Sequence, residues 1–296
     1  MQHGYWQGVA AIIFAAVVWG TTGTAATFAP AVSAAAIGAA AMGIGGLAQA
    51  AIALPAIIRA RHALGQHKML LIVGAVAVAI YPLAFYGSMR LAGVTVGTVV
   101  TIGSAPLLSA LIEYLGEGTR LTRRWLAGAC LGLAGMVLIT LAENSHAATG
   151  SHIPLGIALG LLGGATYALY TWTARRMMQS GLPSRVAMGA TFGLGGLALM
   201  PVLFVSGGAF LSAWNHAAVG LYMAFVPMFL GYLAFGYGLA RVQASMATTI
   251  TLFEPVVAAL LAVVIVGERL APAGWIGVAL VVACLAVITL PPARRR

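Results

Sequence analysis

The residue with the most evident chemistry is Glu254, an acidic side chain inside the apolar run TITLFEPVVAALLAVVIVGERL, residues 249–270. It lies about nine residues, or roughly 14 Å, into its segment, near the middle of a hydrocarbon layer about 30 Å thick. A carboxyl group at that depth must face protein or water rather than lipid. We therefore expect Glu254 to line a central cavity and to meet a substrate ammonium group or a proton. The alternative is a protonated side chain that hydrogen-bonds the Thr251 carbonyl, which Pro255 leaves without its donor.

A site for a zwitterion also needs donors for a carboxylate and an apolar wall. No Lys or Arg lies deep in a segment, so hydroxyl and backbone N–H groups are the expected donors. Aromatic faces would pack the substrate side chain and attract its ammonium group. Beside Glu254, we predict a cavity lined by Trp19, Thr21, Tyr81, Tyr86, Thr101, Ser104, Tyr167, Tyr170, Tyr232 and Thr251. For any one hydroxyl the alternative is a bond back to its own helix, and for an aromatic ring it is packing or a membrane-interface position.

Catalytic and metal chemistry find little support in the sequence. There is no Asp, and all six His fall in predicted loops or at helix ends, without metal spacing or a Ser–His pair. We expect no enzyme activity, no metal ion and no cofactor. Charged rings or filter loops typical of a channel are not visible. Glu113, one turn from the end of its segment, is expected to snorkel to the surface.

The composition is that of an integral membrane protein. Of 296 residues, 61% are hydrophobic and 7% are charged, against roughly 25% charged in soluble domains. The mean hydropathy is +1.01. The net charge of +10 is spread in small groups between apolar runs, which excludes a nucleic-acid-binding face. The lipid bilayer is therefore the expected surroundings of the chain.

Ten runs are long enough to span a bilayer, so the predicted fold is an all-α bundle of ten transmembrane helices. The predicted spans are 6–29, 33–58, 69–90, 93–115, 125–142, 154–174, 186–206, 217–240, 244–266 and 273–291. With the N-terminus inside, thirteen Lys and Arg lie on the inner side and two, Arg90 and Arg269, on the outer side. The asymmetry predicts an inner-membrane protein with both termini in the cytoplasm.

The chain also repeats itself. YPLAFYGSMRLAGVTVGTVVTIGSAPLLSALIEYLGEGTRL (81–121) parallels GYLAFGYGLARVQASMATTITLFEPVVAALLAVVIVGERL (231–270). We predict two five-helix repeats, 1–142 and 154–296, joined by an external linker, 143–153. Five helices are an odd number, so the repeats would be inverted around a central cavity, the architecture of alternating access. Matched prolines predict helix breaks near the midplane: Pro82, Pro106, Pro227 and Pro255.

These features resemble the drug/metabolite transporter superfamily in its ten-helix EamA-type branch, and within it the amino-acid exporters of the YddG type. The residues that carry the resemblance are Trp19-Gly20, Pro106 with Gly116-Glu117, and Glu254-Pro255 with Gly267-Glu268-Arg269-Leu270. The likeness covers nearly the whole chain, although Ala105 stands where the second repeat has Glu254. It implies an exporter of aromatic and other neutral amino acids, or of similar small metabolites. We expect the exporter to be a monomer. A multidrug exporter of lipophilic cations is the alternative, because the same aromatic residues and lone acid would suit that cargo.

Overall fold

The computed structural model describes residues 2–143, 152–266 and 269–290. Most of the predicted linker, the Gly267-Glu268 pair and the C-terminal arginines lie outside these residues. Within them the chain is helical and contains ten helices long and apolar enough to cross a membrane. They are α1 Gly4–Ala26, α2 Ala34–Arg59, α3 Lys68–Ala92, α4 Val96–Glu117, α5 Arg123–Ala142, α6 Ile153–Gln179, α7 Ser184–Leu211, α8 Trp214–Leu239, α9 Ala244–Ile265 and α10 Pro272–Thr289. The ten predicted spans are thus all present.

Helix α6 is longer than the sequence predicts, since it continues to Gln179 instead of ending near residue 174. Arg175 and Arg176 therefore belong to a helix and not to a loop. The Arg175 guanidinium donates to the carbonyl oxygens of Leu239, at 2.8 Å, and of Val242. A charged residue can extend a spanning helix here because its head group reaches backbone acceptors between α8 and α9.

Three helices change type along their length. In α8, a π-helical turn, Ala224–Leu230, separates the α-helical stretches Trp214–Met223 and Gly231–Leu239. In α9, a 3-10 turn, Thr251–Phe253, separates Ala244–Ile250 from Glu254–Leu261. Helix α7 ends in a 3-10 turn, Gly207–Leu211. Pro227 lies inside the π turn, and Pro255 is the second residue of the helical stretch that follows the 3-10 turn. Pro82 and Pro106, by contrast, lie in continuous α-helix.

The bundle is built from closely packed helix pairs: α2 with α7, α3 with α6, α5 with α10, and α1 with α8. Glycine permits the closest approaches. A Cβ on Gly135 of α5 would lie 2.6 Å from the Gly277 carbonyl oxygen of α10, so the two backbones touch. Such contact between small residues is how helices associate in lipid, where burial of apolar surface gives no driving force.

Large apolar side chains cover the outside of the bundle. Phe204 and Val205 of α7 are 84% and 90% exposed, and Trp214 at the start of α8 is 82% exposed. In water such a surface would cause association, whereas in a bilayer it faces acyl chains. Arg59, Lys68, Arg123, Arg175 and Arg241 lie at or near helix ends on one side, which we call the basic end.

Candidate substrate site in the middle of the bundle

Glu254 lies at the break in α9, ten residues from the start of that helix at Ala244, or about 15 Å from the basic end. Its backbone N–H donates to the Thr251 carbonyl oxygen in the 3-10 turn. The acceptor that Pro255 leaves without its usual donor is thus satisfied by backbone. The Thr251 carbonyl therefore needs no hydrogen bond from the Glu254 carboxyl group. A missing donor at Thr251 was the reason for the alternative role, in which a protonated Glu254 bonds to that carbonyl.

The Glu254 carboxyl has no partner among the described residues: no hydrogen bond or ion pair reaches it. The side chain is partly exposed rather than sealed. It lies within electrostatic range of four tyrosine side chains: Tyr81, Tyr86, Tyr167 and Tyr232. A midplane carboxyl with free acceptor atoms can accept hydrogen bonds from a cation or from another donor.

Seven rings from five helices form an aromatic cluster next to Glu254. Its members are Trp19, Tyr81, Tyr167, Tyr170, Phe192, Tyr232 and Phe235. Ring centroids are 4.4 Å apart for Phe192 and Tyr232, and 4.7 Å apart for Trp19 and Tyr232. Tyr170 and Phe235 are 0% exposed. The cluster is a packed aromatic layer, and only its member Tyr81 is partly exposed.

The polar atoms of the buried members bond to one another or to backbone. The hydroxyls of Tyr170 and Tyr232 are 2.7 Å apart, and the Tyr167 hydroxyl is 2.9 Å from Thr251 Oγ1. Trp19 Nε1 donates to the Pro227 carbonyl oxygen at 2.8 Å. These residues shape the wall of the site, but their hydrogen-bonding groups are already engaged.

Tyr81 and Tyr86 differ from the buried members. Both are partly exposed, and neither hydroxyl has a hydrogen-bond partner among the described residues. With Glu254 they form what we call the central polar site, three side chains with unused hydrogen-bonding capacity. Of the residues predicted to line a cavity, these three have polar groups that are both accessible and free.

Most of the predicted hydroxyl groups bond back to their own helix. Thr21 Oγ1 donates to the Val18 carbonyl oxygen at 2.6 Å and also contacts the Tyr222 hydroxyl at 2.7 Å. The hydroxyl groups of Ser104 and Thr251 donate to carbonyl oxygens three residues earlier, at 3.3 and 2.9 Å. Thr101 Oγ1 is buried without a partner in the described part of the chain.

Two side-chain hydrogen-bond donors from other helices hold the π-helical turn of α8. Besides Trp19, the Gln49 side-chain amide of α2 donates to the Met228 carbonyl oxygen at 3.3 Å. Gln49 is 1% exposed, and its Oε1 atom is buried without a partner among the described residues. Gln49 is absent from the predicted site, although a single amide in an apolar segment was a signal that could have found it. The two donors satisfy carbonyl groups around the break and so fix its position.

The prediction that Glu113 snorkels to the surface was wrong. Its side chain is 2% exposed, and its two carboxylate oxygens accept the backbone N–H groups of Ala244 at 2.7 Å and Ser245 at 3.2 Å. A carboxylate is stable there because the start of a helix offers free N–H donors and a positive dipole end. Glu117, one turn further along α4, accepts from Trp172 Nε1 at 2.9 Å and lies 3.9 Å from Arg176 Nε.

The polar groups do not assemble a metal site. Among the described residues, no three His, Cys, Asp or Glu side chains come together as metal ligands. What the bundle offers instead is a free carboxyl at mid-depth, with two free phenol groups within electrostatic range, beside the packed aromatic cluster. This arrangement, inside ten apolar helices, is typical of a membrane transporter for small molecules.

The chain belongs to the EamA-like transporter family, whose sequence profile matches residues 6–141 and 154–290. The transporter YwfM of Bacillus subtilis is 32% identical over 285 residues, which cover 96% of this chain and 94% of YwfM. The threonine/homoserine exporter RhtA of Escherichia coli K12 is 29% identical over 201 residues, 64% of this chain and 65% of RhtA.

Two further comparisons extend this result. A probable terminal-alkyne amino-acid exporter of Streptantibioticus cattleyicolor is 25% identical over 77% of this chain and 75% of its own length. A solved crystal structure superposes with a TM-score of 0.77 at 22% identity, covering 97% of this chain and 96% of that one. The superposition supports the ten-helix fold.

Proposed function

We propose that this chain is an inner-membrane exporter of amino acids, aromatic and other neutral ones, or of similar small metabolites. The observation that carries the proposal is the Glu254 carboxyl: it lies at mid-depth, is partly exposed, and has no partner in the described residues. The amino-acid export activity named for RhtA and for the terminal-alkyne amino-acid exporter supports the same substrate class.

The central polar site matches the groups of a zwitterion. Glu254 would accept hydrogen bonds from the substrate ammonium group, an interaction stronger than a neutral hydrogen bond. The hydroxyls of Tyr81 and Tyr86 would donate to its carboxylate. The aromatic cluster would form the wall for the side chain, because aromatic faces accept both apolar groups and rings. The site needs no cofactor and no metal ion for this chemistry.

The mode of transport would be alternating access by two inverted repeats, 1–142 and 154–296. The helix pairs support this symmetry, because a twofold relation between the repeats maps α3 onto α8 and α6 onto α1. This twofold relation turns the α3–α6 pair into the α8–α1 pair. It turns the α2–α7 pair and the α5–α10 pair each into itself. The basic end would face the cytoplasm, as the distribution of Lys and Arg predicts.

Uptake by liposomes that contain the purified protein tests the proposal. The panel comprises labelled threonine, homoserine, phenylalanine and one lipophilic cation, with protein-free liposomes as the blank. We expect saturable uptake of at least one amino acid without an imposed ion gradient. Transport of the cation alone would contradict the proposal and place the chain among multidrug exporters.

A further inference from the structure

The turn between α8 and α9 is held from both sides by charged residues of other helices. Arg175 of α6 donates to the Leu239 and Val242 carbonyl oxygens, at the end of α8 and in the turn. Glu113 of α4 accepts the first two N–H groups of α9. The residue before α9, Gln243, makes no side-chain cap of its own. The start of α9 thus depends on a carboxylate that lies 131 positions earlier in the chain.

These contacts lie between the basic end and the central polar site. Ala244 is ten residues before Glu254, so the Glu113 contact is about 15 Å nearer the basic end. Phe235, which is 0% exposed, lies four residues before the end of α8 at Leu239. From the basic end inward, the order along α9 and α8 is the Glu113 contact, then Phe235, with Glu254 deeper still. The buried Glu113 contact and the buried Phe235 ring thus both lie on the basic side of Glu254.

We propose that Glu113 is a latch: it holds α9 against α4 while the site is closed to the cytoplasm, and it releases Ala244 and Ser245 whenever the site opens to load substrate. This inference rests on the proposed function, since a latch has meaning only for a transporter that opens toward the cytoplasm. Glu117 assists by joining α4 to Trp172 and Arg176 of α6.

A latch differs from a permanent cap in its reversibility. Backbone N–H groups at the start of a helix can exchange a carboxylate for water once water enters, so the contact can open without leaving unpaired groups in a dry interior. The Tyr170–Tyr232 hydrogen bond has the opposite property. Neither hydroxyl has another partner in the described part of the chain, so breaking this bond would leave both groups unpaired inside the packed aromatic cluster.

Cysteine labelling from the cytoplasmic face tests the latch. The reporter is Ala247→Cys, at a position in α9 that is 0% exposed, in a background with Cys130→Ala and Cys284→Ala. A membrane-impermeant maleimide is added to inside-out vesicles. In Glu113→Gln we expect labelling on the order of tenfold faster, because one of two charge-assisted hydrogen bonds is lost.

A second variant removes the donor instead of the acceptor. Ala244→Pro deletes the N–H that Glu113 binds, and proline is tolerated at the first position of a helix. Gln243 already has the extended conformation that suits a residue before proline, with φ −67° and ψ 153°. We expect the same acceleration in this variant. The matched control is Ser109→Ala, one turn from Glu113 on α4, which removes a buried hydroxyl that makes no hydrogen bond in the described structure; it should label at the parent rate.

Faster labelling in both variants, with the control unchanged, supports the latch. Unchanged labelling in both folded variants, even with lower thermal stability, would overturn it and leave Glu113 as a structural cap. Labelling requires no substrate, so this result stands whether or not the liposome panel detects amino-acid transport. The failure of the latch and the failure of the proposed function are therefore distinguishable.

Discussion

The polar side chains near the middle of the bundle fall into two classes. Engaged groups hydrogen-bond to other groups of the protein, and free groups have no partner among the described residues. Tyr232 and Tyr170 share a hydrogen bond inside the aromatic cluster, whereas Tyr81 and Tyr86 are partly exposed and have no partner among the described residues. Engaged groups stabilise the fold, and free groups are available to a substrate. The distinction assigns different roles to two pairs of tyrosines that the sequence alone does not separate.

Removing one hydroxyl from each class should therefore give opposite results. Tyr232→Phe leaves the Tyr170 hydroxyl buried without a partner, which costs about 1–3 kcal/mol and should lower the melting temperature of the purified protein in detergent. Tyr81→Phe should leave the melting temperature unchanged and weaken the apparent affinity for an amino acid about tenfold or less. A lower melting temperature for Tyr81→Phe with normal affinity would contradict the assignment.

Helix pairing depends on glycines that let backbones touch. In α5, a Cβ on Gly135 would lie 2.6 Å from the Gly277 carbonyl oxygen and 2.9 Å from the Val281 nitrogen of α10. Neither atom belongs to a flexible side chain, so the helices themselves would have to separate. By contrast, a Cβ on Gly23 in α1 would meet no other described residue within 4 Å.

We expect Gly135→Ala to destabilise the protein by about 1–3 kcal/mol, the usual cost of overpacking. Gly23→Ala, the matched control, should be neutral or slightly stabilising because alanine favours helix. Thermal unfolding of the two variants in detergent measures the difference. Equal melting temperatures of the two variants would contradict a backbone contact between α5 and α10 at Gly135.

The sequence predicted the elements well and their polar contacts poorly. Hydropathy alone dictates ten spans, since an apolar run of this length must lie in the bilayer, and depth along α9 predicted that Glu254 lies at the middle. The partner of Glu113 was not predictable, because it is a pair of backbone N–H groups, which every residue type except proline carries. The matched prolines predicted a break at Pro227, but not that Trp19 and Gln49 donate to the carbonyl groups of Pro227 and Met228.

For the molecule as a whole, the family and the helix packing both support a transporter built from ten membrane-spanning helices. Ten helices surround the Glu254 carboxyl, and at the basic end Glu113 joins α4 to the start of α9. An exporter of this kind would load an amino acid from the cytoplasm when the basic end opens and release it on the other side. In such a cycle we expect Glu254 to recognise the ammonium group of the substrate.

Competition between two ligands in liposomes tests this role of Glu254. Uptake of labelled phenylalanine is measured against unlabelled phenylalanine and against 3-phenylpropionate, which lacks the ammonium group. We predict that the parent protein prefers phenylalanine by about tenfold or more, and that Glu254→Gln loses this preference. Thr248→Val, which removes a hydroxyl bonded to its own helix, serves as the control and should keep it. A Glu254→Gln protein that still discriminates as the parent does would contradict the claim.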